Sequence, residues 1–567
     1  MRIVLAKCPR AYSSHFQENS ESLALAYLAA SLRRAGYREV LLLDGSLTRL
    51  SVSEIAGRIM KLGPDLVGFT ISDSTFLEST FQCAAQLRRL GSRSHIILGG
   101  YTPSFQHRET LFACDAIDSV CRFEGEETIV DLARALEERR DWRKVTGIAY
   151  RGSGSVVTTP LRRALRNLDE LPFPSRDNVL YVIENMPETG VVGVSGSRGC
   201  YADCSFCSIR AFYDAENGPP IRFRSPKNIA DEIELLVHTY GWSEIQLVDD
   251  VFVVPGQAGM HRLTQFVEEF RRRQLRVMLS ISERACNIVD ETCVMLREMG
   301  VRQILIGIEA GSDDLLNYYN KRTTIRQNQH AIELLQSMEI DPAVSFINFS
   351  PATTLEQLRQ NLDFLLRLRV NFLQGLLNRF QIYPGTPLGE DILRSGRFVG
   401  KFPKYDYIPD DPRTDTIYKI VSQSCGLFLT TAFELKRIER QLRRLLFKTE
   451  DEGARSVRLR EARNQFQRLQ QSIMEDAGRL FRYVLDSVEA GSIKSDAEVL
   501  DCVLHLRNAV RHHFGIWHSQ LAFFETFHPD LSRSDRCIES DSRAWINGLH
   551  EGSDHVRTND QNVITHI

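Results

Sequence analysis

The sequence lacks long apolar runs and lacks a bias of charge. No stretch of roughly eighteen or more apolar residues occurs in the 567-residue chain, and the apolar run at its start is too short for a signal peptide. The 70 basic and 73 acidic residues leave a formal net charge of -3. We therefore expect a cytoplasmic protein that neither spans a membrane nor binds nucleic acid through its overall charge.

A glycine motif for dinucleotides is also missing. Residues 1–150 alternate short apolar runs with helical patterns, which predicts a doubly wound parallel sheet with helices on both faces. No G-x-G-x-x-G follows the first predicted strand, which disfavours a nicotinamide or flavin dinucleotide site. Ligands of such sheets bind beyond the carboxyl ends of the strands. The residues singled out at these ends are Ser72, Ser74, Gly99, Gly100, Glu124 and Gly125.

Three cysteines on one short loop carry the strongest chemical signal. Cys200, Cys204 and Cys207 are spaced C-x3-C-x2-C, directly after the apolar run Val191 to Val194. Three thiolates fit an iron-sulfur cluster that keeps one iron without a protein ligand. A structural zinc site is the alternative, but such a site closes with a fourth Cys or His at short spacing, and none follows.

This loop, with Phe206 before its third cysteine and a strand leading into it, resembles the signature of the radical S-adenosylmethionine enzymes. The resemblance implies that Cys200, Cys204 and Cys207 hold a 4Fe-4S cluster whose open iron binds S-adenosylmethionine. It also implies that reductive cleavage yields a 5'-deoxyadenosyl radical and that Phe206 lies beside the adenine. Ordinary loop packing is the alternative for Phe206.

The middle of the chain predicts an incomplete barrel. A proline-bearing linker spans residues 151–190, and residues 191–390 hold six strand-helix units, a partial (β/α)6 barrel. The segments SISERAC and LIGIEAGSDDLL resemble cofactor-binding strands of radical S-adenosylmethionine barrels, which implies that Ser282, Arg284 and Glu309 contact S-adenosylmethionine. Helix caps, ion pairs and turns are the alternative roles for the polar strand ends. The candidate substrate contacts at these ends are Asp249, Asp250, Asn348 and Tyr383.

Residues 1–150 also resemble the cobalamin-binding domain that precedes the radical domain in one large subfamily, through the segments PDLVGFTISDST, IILGGYTP and DAIDSVCRFEGEETIVDLARAL. The resemblance implies that the corrin lies near the six strand-end residues named above. The chain departs from it twice, since it lacks the D-x-H-x-x-G motif of cobalamin mutases and has Phe123 where glycine is frequent. A vestigial sheet that covers the active site without binding cobalamin is the alternative.

The rest of the chain predicts helices and a polar tail. Residues 391–528 read as a helical cap domain, and residues 529–567 have the composition of a disordered tail. We interpret the basic residues between Leu435 and Leu446 as a solvated helix face, because aromatic residues are not interleaved as in a nucleic-acid site. We interpret the histidines as helix-end and core residues rather than as a pocket or metal site. They are His505, His512, His513 and His518.

Together the resemblances imply a cobalamin-dependent radical S-adenosylmethionine methyltransferase that acts on an unactivated carbon of a secondary-metabolite-type substrate, by way of methylcobalamin. They imply a small-molecule or carrier-bound substrate and an external flavodoxin- or ferredoxin-type reductant as partners. One alternative is a radical enzyme of the same architecture that transfers no methyl group, such as a deoxygenase or dehydratase, an epimerase or a cyclase, with or without cobalamin. A non-catalytic iron-sulfur or zinc protein is the second alternative.

Overall fold

Seven strands at the start of the chain form one sheet. They are β1 Arg2–Lys7, β2 Glu39–Asp44, β3 Leu66–Ile71, β4 His95–Gly100, β5 Ser119–Cys121, β6 Ile148–Arg151 and β7 Val156–Thr158. Their order is β2-β1-β3-β4-β5-β6-β7. The first five strands run parallel, as predicted, while β6 and β7 are antiparallel additions at one edge that the sequence analysis missed. The sheet therefore continues past residue 150.

Helices cover both faces of this sheet, so the predicted doubly wound fold is confirmed. They are α1 Leu23–Arg34, α2 Val52–Leu62, α3 Leu77–Arg89, α4 Tyr101–Phe105, α5 His107–Ala113 and α6 Glu126–Glu137. α2 and α3 pack on the core that contains Val4 and Val67, while α1 and α6 pack on the opposite core with Ile3 and Leu66. The strand order reverses between β1 and β3, so the ligand crevice is expected at the carboxyl ends of these strands.

The second sheet is the predicted partial barrel. Its elements are α7 Val179–Asn185, β8 Val192–Val194, β9 Ser197–Gly199, α8 Ser208–Asp214, β10 Ile221–Phe223, α9 Pro226–Tyr240, β11 Glu244–Leu247, α10 Gln257–Arg272, β12 Met278–Arg284, α11 Asp290–Glu298, β13 Val301–Glu309, α12 Asp313–Tyr318, α13 Ile325–Ser337, β14 Asp341–Phe346 and α14 Leu355–Leu368. Five strands pair in parallel in the order β14-β13-β12-β11-β8. The sixth predicted strand is an irregular segment with one parallel bridge, between Phe349 and Arg379.

β9 and β10 form a two-stranded antiparallel sheet of their own, here called the ribbon. Residues 200–207 and α8 connect its two strands, so the ribbon holds the cysteine loop at its end.

Local sequence signals explain where the helices begin. The apolar spacing predicts a helix over Pro226–Tyr240, and α9 has these bounds. Ser225 caps its first turn, Pro226 takes its first position and Gly241 ends it at φ +66°. α13 and α14 both begin with a Thr-x-x-Gln capping box.

The polar, proline-broken residues 401–415 predict a loop, but a hairpin occupies the first part of this segment. After α15 Pro387–Arg394, the strands β15 Phe398–Lys401 and β16 Lys404–Tyr407 pair in antiparallel fashion. Its turn reaches the first sheet, where Phe402 packs against Phe81 at 6.4 Å between ring centroids and Gln106 donates to the Tyr405 hydroxyl.

The structure is a computed structural model that describes residues 1–10, 19–215, 218–450, 453–493, 495–528 and 531. The chain divides into two units, Met1–Tyr418 and Lys419–Ile567, and α16, Pro412–Ser424, crosses the division. The second unit contains α17 Gly426–Lys448, α18 Gly453–Glu489 and α19 Asp496–Phe527. The tail predicted to be disordered, 529–567, lies outside the described residues except for Leu531. Within the described ranges, no helix combines the length and apolarity needed to cross a membrane.

One interpretation in the second unit is wrong. Arg437, Arg440 and Arg443 do not form a solvated face, because each is only 9% exposed. Arg437 pairs with Glu434 at 3.1 Å and with Glu525 of α19. The apolar residues of this stretch, Leu435, Ile438 and Leu442, are buried as their helical spacing predicts.

The histidines of α19 lie among aromatic and acidic side chains. His513 Nδ1 is 3.6 Å from Asp476 Oδ2, and the buried Trp517 donates its indole N–H to the same carboxylate at 3.0 Å. The ring centroids of Phe514 and His518 are 4.0 Å apart. All four histidines lie inside α19, where His505 and His512 are exposed and His513 and His518 are half-buried. The interpretation of them as helix-end and core residues is therefore wrong.

Candidate active site

The cysteine loop is fixed by contacts on both sides. Gly199, which ends β9, has φ +94°, and a Cβ there would lie 2.3 Å from the carbonyl oxygen of Pro220, so only glycine fits. Farther along the loop, Ser205 donates its backbone N–H to the Tyr319 carbonyl at 2.9 Å. The loop therefore lies between the ribbon and the end of α12.

The three thiols lie near one another on this loop, since each of Cys200 and Cys207 is affected by the charge of a neighbouring cysteine. Cys204 is buried, while Cys200 and Cys207 are partly exposed. Burial raises the pKa of the Cys200 thiol and raises that of Cys207 to about 12, and the neighbouring cysteines add to both shifts. Iron would neutralise thiolates held this close, so the donor set fits a cluster. Among the described residues, no three His, Cys, Asp or Glu side chains are placed to share a single metal ion.

Arg284, at the end of β12, contacts this loop directly. Its Nη1 donates to the sulfur of Cys204 at 3.3 Å, and its guanidinium lies 5.8 Å from the centre of the Tyr201 ring. Its Nη2 donates to the Lys321 carbonyl, and its buried Nε has no acceptor in the described part of the chain. Burial is the largest single effect and lowers the pKa of Arg284, but the charges and hydrogen bonds of Cys204 and Cys286 together outweigh it, and the net shift is upward. A guanidinium with an unused N–H suits a carboxylate ligand.

Glu309, at the end of β13, is held by an internal ion pair. Its Oε1 lies 2.9 Å from Nζ of Lys321, which is only 4% exposed, and both carboxylate oxygens accept from the Ser345 hydroxyl at 3.1 Å. The backbone of Glu309 has φ +67°, a left-handed conformation that costs a non-glycine residue about 1–2 kcal/mol. The position of this carboxylate therefore comes with an unfavourable backbone conformation.

Ser282 and Phe206 are the other two predicted S-adenosylmethionine contacts. Ser282 lies two residues before Arg284, and Phe206 lies on the cysteine loop. Ser282 is half-buried on β12, and its carbonyl accepts from the Phe252 N–H at 3.2 Å. The ring of Phe206 packs edge-on against the ring of Tyr319, with 5.6 Å between centroids. Phe206 is only partly buried, and it packs against the core cluster that contains Tyr319.

Three carboxyl groups lie at the ends of β11 and β12. Asp249 is 2% exposed and accepts from the Gly196 N–H at 3.1 Å, and burial raises its pKa to about 6. The Asp250 side chain is open to solvent, but the protein around it, and next the charge of Asp249, raise its pKa to about 7. Burial raises the pKa of Glu283 to about 7, although it accepts from the Arg284 N–H at 2.7 Å. These groups exchange protons near neutral pH.

Five of the six predicted cobalamin contacts lie at strand ends of the first sheet. They are Ser72 and Ser74 after β3, Gly99 and Gly100 at the end of β4, and Gly125 before α6. Gly100 has φ +115°, and a Cβ there would lie 2.0 Å from the carbonyl oxygen of Ile71. Because these residues are small and partly exposed, the backbone can approach a large ligand closely.

The sixth residue, Glu124, is engaged with the barrel. Its Oε1 accepts from Nη1 of Arg198 and from Nη2 of Arg222, both at 2.8 Å. The structure therefore directs this carboxylate toward the ribbon.

Aromatic side chains from both sheets meet between β4 and the cysteine loop. The Tyr101 hydroxyl donates to the Pro384 carbonyl at 2.8 Å, and its ring stands edge-on to Tyr383 at 5.6 Å. Phe123 packs against Phe212 of α8 at 5.2 Å, with its own backbone at φ +65°. The strand ends of the first sheet therefore face the cysteine loop and the end of the barrel.

Asn348 is not brought to this site. It is 1% exposed, its Nδ2 donates to the Leu376 carbonyl at 3.0 Å, and its Oδ1 accepts from Asn361 at 3.1 Å. Both ends of the amide are used inside the fold. The structure therefore does not group Asn348 with Asp250 and Tyr383.

Sequence reasoning missed four residues that line the site or hold it. They are Tyr101, Arg198, Arg222 and Lys321. Tyr101 follows the strand-end Gly-Gly pair and could have been found from that position. The sequence gives no such signal for Lys321. Its partner Glu309 is twelve residues away in the chain, and the two come into contact only in the folded protein.

Two family models match the chain in succession. The B12 binding domain matches residues 9–133, and the Radical SAM superfamily matches residues 194–365. The first match covers the sheet with the small strand-end residues, and the second begins at the strand before the cysteine loop.

Curated relatives include proteins named for different reactions. An uncharacterized methyltransferase of Pyrococcus horikoshii is 29% identical over 371 residues, which are 65% of this chain and 77% of the relative. The anaerobic magnesium-protoporphyrin IX monomethyl ester cyclase of Rubrivivax gelatinosus is 32% identical over 350 residues, which are 59% of this chain. The chain spans only 60% of the length of that cyclase.

Solved structures share the fold. OxsB, a cobalamin-dependent S-adenosylmethionine radical enzyme with aqua-cobalamin bound, aligns with a TM-score of 0.65 at 18% identity, over 92% of this chain and 84% of that one. The radical S-adenosylmethionine methyltransferase TsrM from Kitasatospora setae, with cobalamin and a [4Fe-4S] cluster bound, aligns with a TM-score of 0.56 at 20% identity, over 71% and 79%. With both family models matched in this order, the chain belongs to the cobalamin-dependent radical S-adenosylmethionine enzymes, whose cofactors are a 4Fe-4S cluster, S-adenosylmethionine and cobalamin.

Proposed function

We propose that the protein is a methyltransferase that methylates an unactivated carbon of a small-molecule or carrier-bound substrate of secondary metabolism. The observation that carries the proposal is the meeting of Tyr101 with Tyr383 and Pro384, which sets the strand ends of the first sheet against the mouth of the barrel. A substrate between these two edges reaches both cofactor sites. Two of the relatives and neighbours described above are named methyltransferases, which supports this choice over other radical reactions.

The proposed roles follow from the positions of the side chains. Cys200, Cys204 and Cys207 hold the cluster, while Arg284 takes the carboxylate of S-adenosylmethionine beside the Cys204 sulfur. Glu309 accepts from the ammonium or the ribose, and Lys321 holds that carboxylate in position from 2.9 Å. Ser282 adds a hydroxyl and Phe206 an apolar surface for the adenine.

The first sheet supplies the second cofactor site in this proposal. Ser72 and Ser74 donate hydroxyls to the amide side chains of the corrin, while Gly99, Gly100 and Gly125 admit its bulk to the strand ends. When bound, the cluster supplies the electron that cleaves S-adenosylmethionine, and the corrin supplies a carrier for the methyl group.

Substrate contacts are proposed for Asp250 and Tyr383 at the mouth between these sites, whereas Asp249 is 2% exposed and lies behind the surface that a substrate could reach. Asp250 is the one of the two aspartates open to solvent, and with its pKa raised to about 7 it can accept a proton from the substrate near neutral pH. A flavodoxin- or ferredoxin-type protein is proposed as the electron donor.

The test begins with protein whose cluster is rebuilt under anaerobic conditions with excess hydroxocobalamin and then desalted. Absorption spectra and iron, sulfide and cobalt analyses are expected to give one cluster and one corrin per chain. A cluster without corrin would remove the basis for methyl transfer. The protein would then fit a radical enzyme that uses the first sheet only as a cover.

A second candidate is a radical reaction without methyl transfer. The identity of 32% to a cyclase favours it. Formation of 5'-deoxyadenosine without methylation of any product would support this candidate.

A further inference from the structure

A buried ion-pair network connects the first sheet to the cysteine loop. Arg198 binds Glu124 at 2.8 Å through Nη1 and Glu126 through Nη2, and Arg222 binds both oxygens of Glu124, at 2.8 and 3.0 Å. Glu124 and Glu126 follow β5, and the two arginines lie on the ribbon. The four side chains are at most 13% exposed, so water screens these contacts little.

The two arginines of the network are like charges that lie side by side on the ribbon. Arg198 and Arg222 are register partners across the ribbon, and directly opposed like charges destabilise a strand pair. Glu124 lies between the guanidiniums and accepts from both. The ribbon therefore depends on an acid from the other sheet to hold its two strands together.

The cysteine loop begins directly after the first strand of the ribbon. Arg198 lies two residues before Cys200, and the ribbon forms its own two-stranded sheet, apart from the five parallel barrel strands. Its position relative to the first sheet is set by the network and by the packing of Phe123 on Phe212. A shift of the β5 end would therefore move the loop.

We propose that Glu124 and Arg198 are positioning residues that fix the cluster loop at a set distance from the ligand edge of the first sheet. Glu124 then serves the corrin site indirectly, since its carboxylate binds the ribbon instead of the ligand. The inference rests on the proposed placement of the cluster on Cys200, Cys204 and Cys207 and of the corrin at the strand ends. It does not require that the reaction be a methyl transfer.

The matched control for this network lies one residue away. Glu127 pairs with Arg162 at 3.0 Å on the outer side of α6, where the Glu127 side chain is 61% exposed. Glu127→Gln removes a carboxylate from the same helix turn without touching the ribbon. The test variants are Glu124→Gln, Glu126→Gln, Arg198→Lys and Arg198→Met.

The first readout is the alkylation rate of the loop cysteines in apo-protein, followed by mass spectrometry of the loop peptide. A small-molecule thiol added to each sample serves as the internal standard, because Cys286 lies 3.9 Å from the Tyr201 hydroxyl and would respond to the loop. Glu124→Gln and Arg198→Met are expected to speed loop alkylation by about five-fold or more, because loss of a buried charged hydrogen bond opens the loop. Glu126→Gln and Arg198→Lys are expected to lie between these variants and wild type. Glu127→Gln is expected to match wild type.

The second readout is spectroscopic and uses cluster-loaded protein without cobalamin. The electron paramagnetic resonance spectrum of the reduced cluster with S-adenosylmethionine should change in Glu124→Gln and stay unchanged in Glu127→Gln. Hydroxocobalamin affinity should stay within about two-fold of wild type in both variants, because Glu124 does not touch the corrin in this proposal.

Two results would overturn the inference. The first is a large loss of hydroxocobalamin affinity in Glu124→Gln with unchanged loop alkylation, which would make Glu124 a direct corrin ligand. The second is a Glu124→Gln protein that equals Glu127→Gln in both readouts. If Glu124→Gln does not fold, Glu126→Gln carries the same test with a single ion pair removed. Failure of methyl transfer would leave the alkylation result intact.

Discussion

Arg284 Nη1 and Cys204 Sγ are joined by a hydrogen bond of 3.3 Å. This contact links the end of β12 to the middle cysteine of the loop, so one guanidinium lies beside the Cys204 sulfur. Charge-assisted hydrogen bonds are stronger than neutral ones. In the proposed function, Arg284 serves both the cluster and S-adenosylmethionine.

Replacement of Arg284 should weaken both functions. Arg284→Met is expected to lower the affinity for S-adenosylmethionine by about ten-fold or more, because a hydrogen bond to a charged group contributes about 1.5–3 kcal/mol. Arg284→Lys keeps the charge but loses the second N–H, so it should fall between Met and wild type. Equilibrium dialysis with cluster-loaded protein measures the affinity. Equal binding by all three proteins would contradict the role.

The cluster assignment gives a second prediction. Cys204→Ser should lose most of its iron and the absorption near 400 nm after anaerobic reconstitution, because three thiolates are the protein ligands of the cluster. Cys286→Ala is the control, since Cys286 is an exposed thiol near Tyr201 but outside the motif. Iron retained by Cys204→Ser, or lost from Cys286→Ala, would show that the ligand set is different.

Substitution of Gly100 tests whether the strand ends of the first sheet bind the corrin. Gly100→Ala places a methyl group 2.0 Å from the Ile71 carbonyl at φ +115°, so β3 and β4 must separate and hydroxocobalamin retention should be lost. Gly91→Ala is matched in backbone, with φ +88°, but its Cβ would meet no atom within 4 Å. It should cost only about 1–2 kcal/mol and leave corrin retention unchanged. Cobalt analysis after desalting compares the two variants.

Glu283 predicts how stability depends on pH. Burial raises its pKa from 4.5 to about 7, so the folded state holds a proton that the unfolded state releases first. Its contribution to stability is full below pH 4.5, falls as the pH rises through this window and is lost above about 7. The fall is about 3 kcal/mol at 1.36 kcal/mol for each pKa unit. In Glu283→Gln, the free energy of unfolding of apo-protein should depend less on pH. Urea unfolding at several pH values measures this, with hydrogen exchange of β12 peptides as the probe. An unchanged slope would assign the pH dependence to other groups, such as Asp249.

The sequence predicted the elements whose signals are local. α9 was predicted with its observed bounds because its cap, its proline and its final glycine all lie within or beside the helix. The five parallel strands of the first sheet followed from alternating patterns. Antiparallel β6 and the ribbon were missed, because strands of three or four residues carry too little pattern to read.

The candidate site was predictable where a residue acts by type and spacing. The cysteine motif and the strand ends can be read directly from the chain. The prediction that Arg284 lies at the cysteine loop agrees with its contact to Cys204. Pairing across the fold was not predictable. Glu124 turned out to bind two arginines, and Asn348 to be used inside the fold, since both outcomes depend on which way a side chain points.

If this protein moves a methyl group by way of cobalamin, the methyl group of S-adenosylmethionine must appear on the corrin. Protein loaded with cluster and hydroxocobalamin is reduced and incubated with S-adenosylmethionine that carries a CD3 methyl group, and the extracted corrin is weighed by mass spectrometry. We expect a corrin that carries the CD3 label in wild type and not in Gly100→Ala. An unlabelled corrin beside abundant 5'-deoxyadenosine would contradict methyl transfer and favour a radical reaction of another kind.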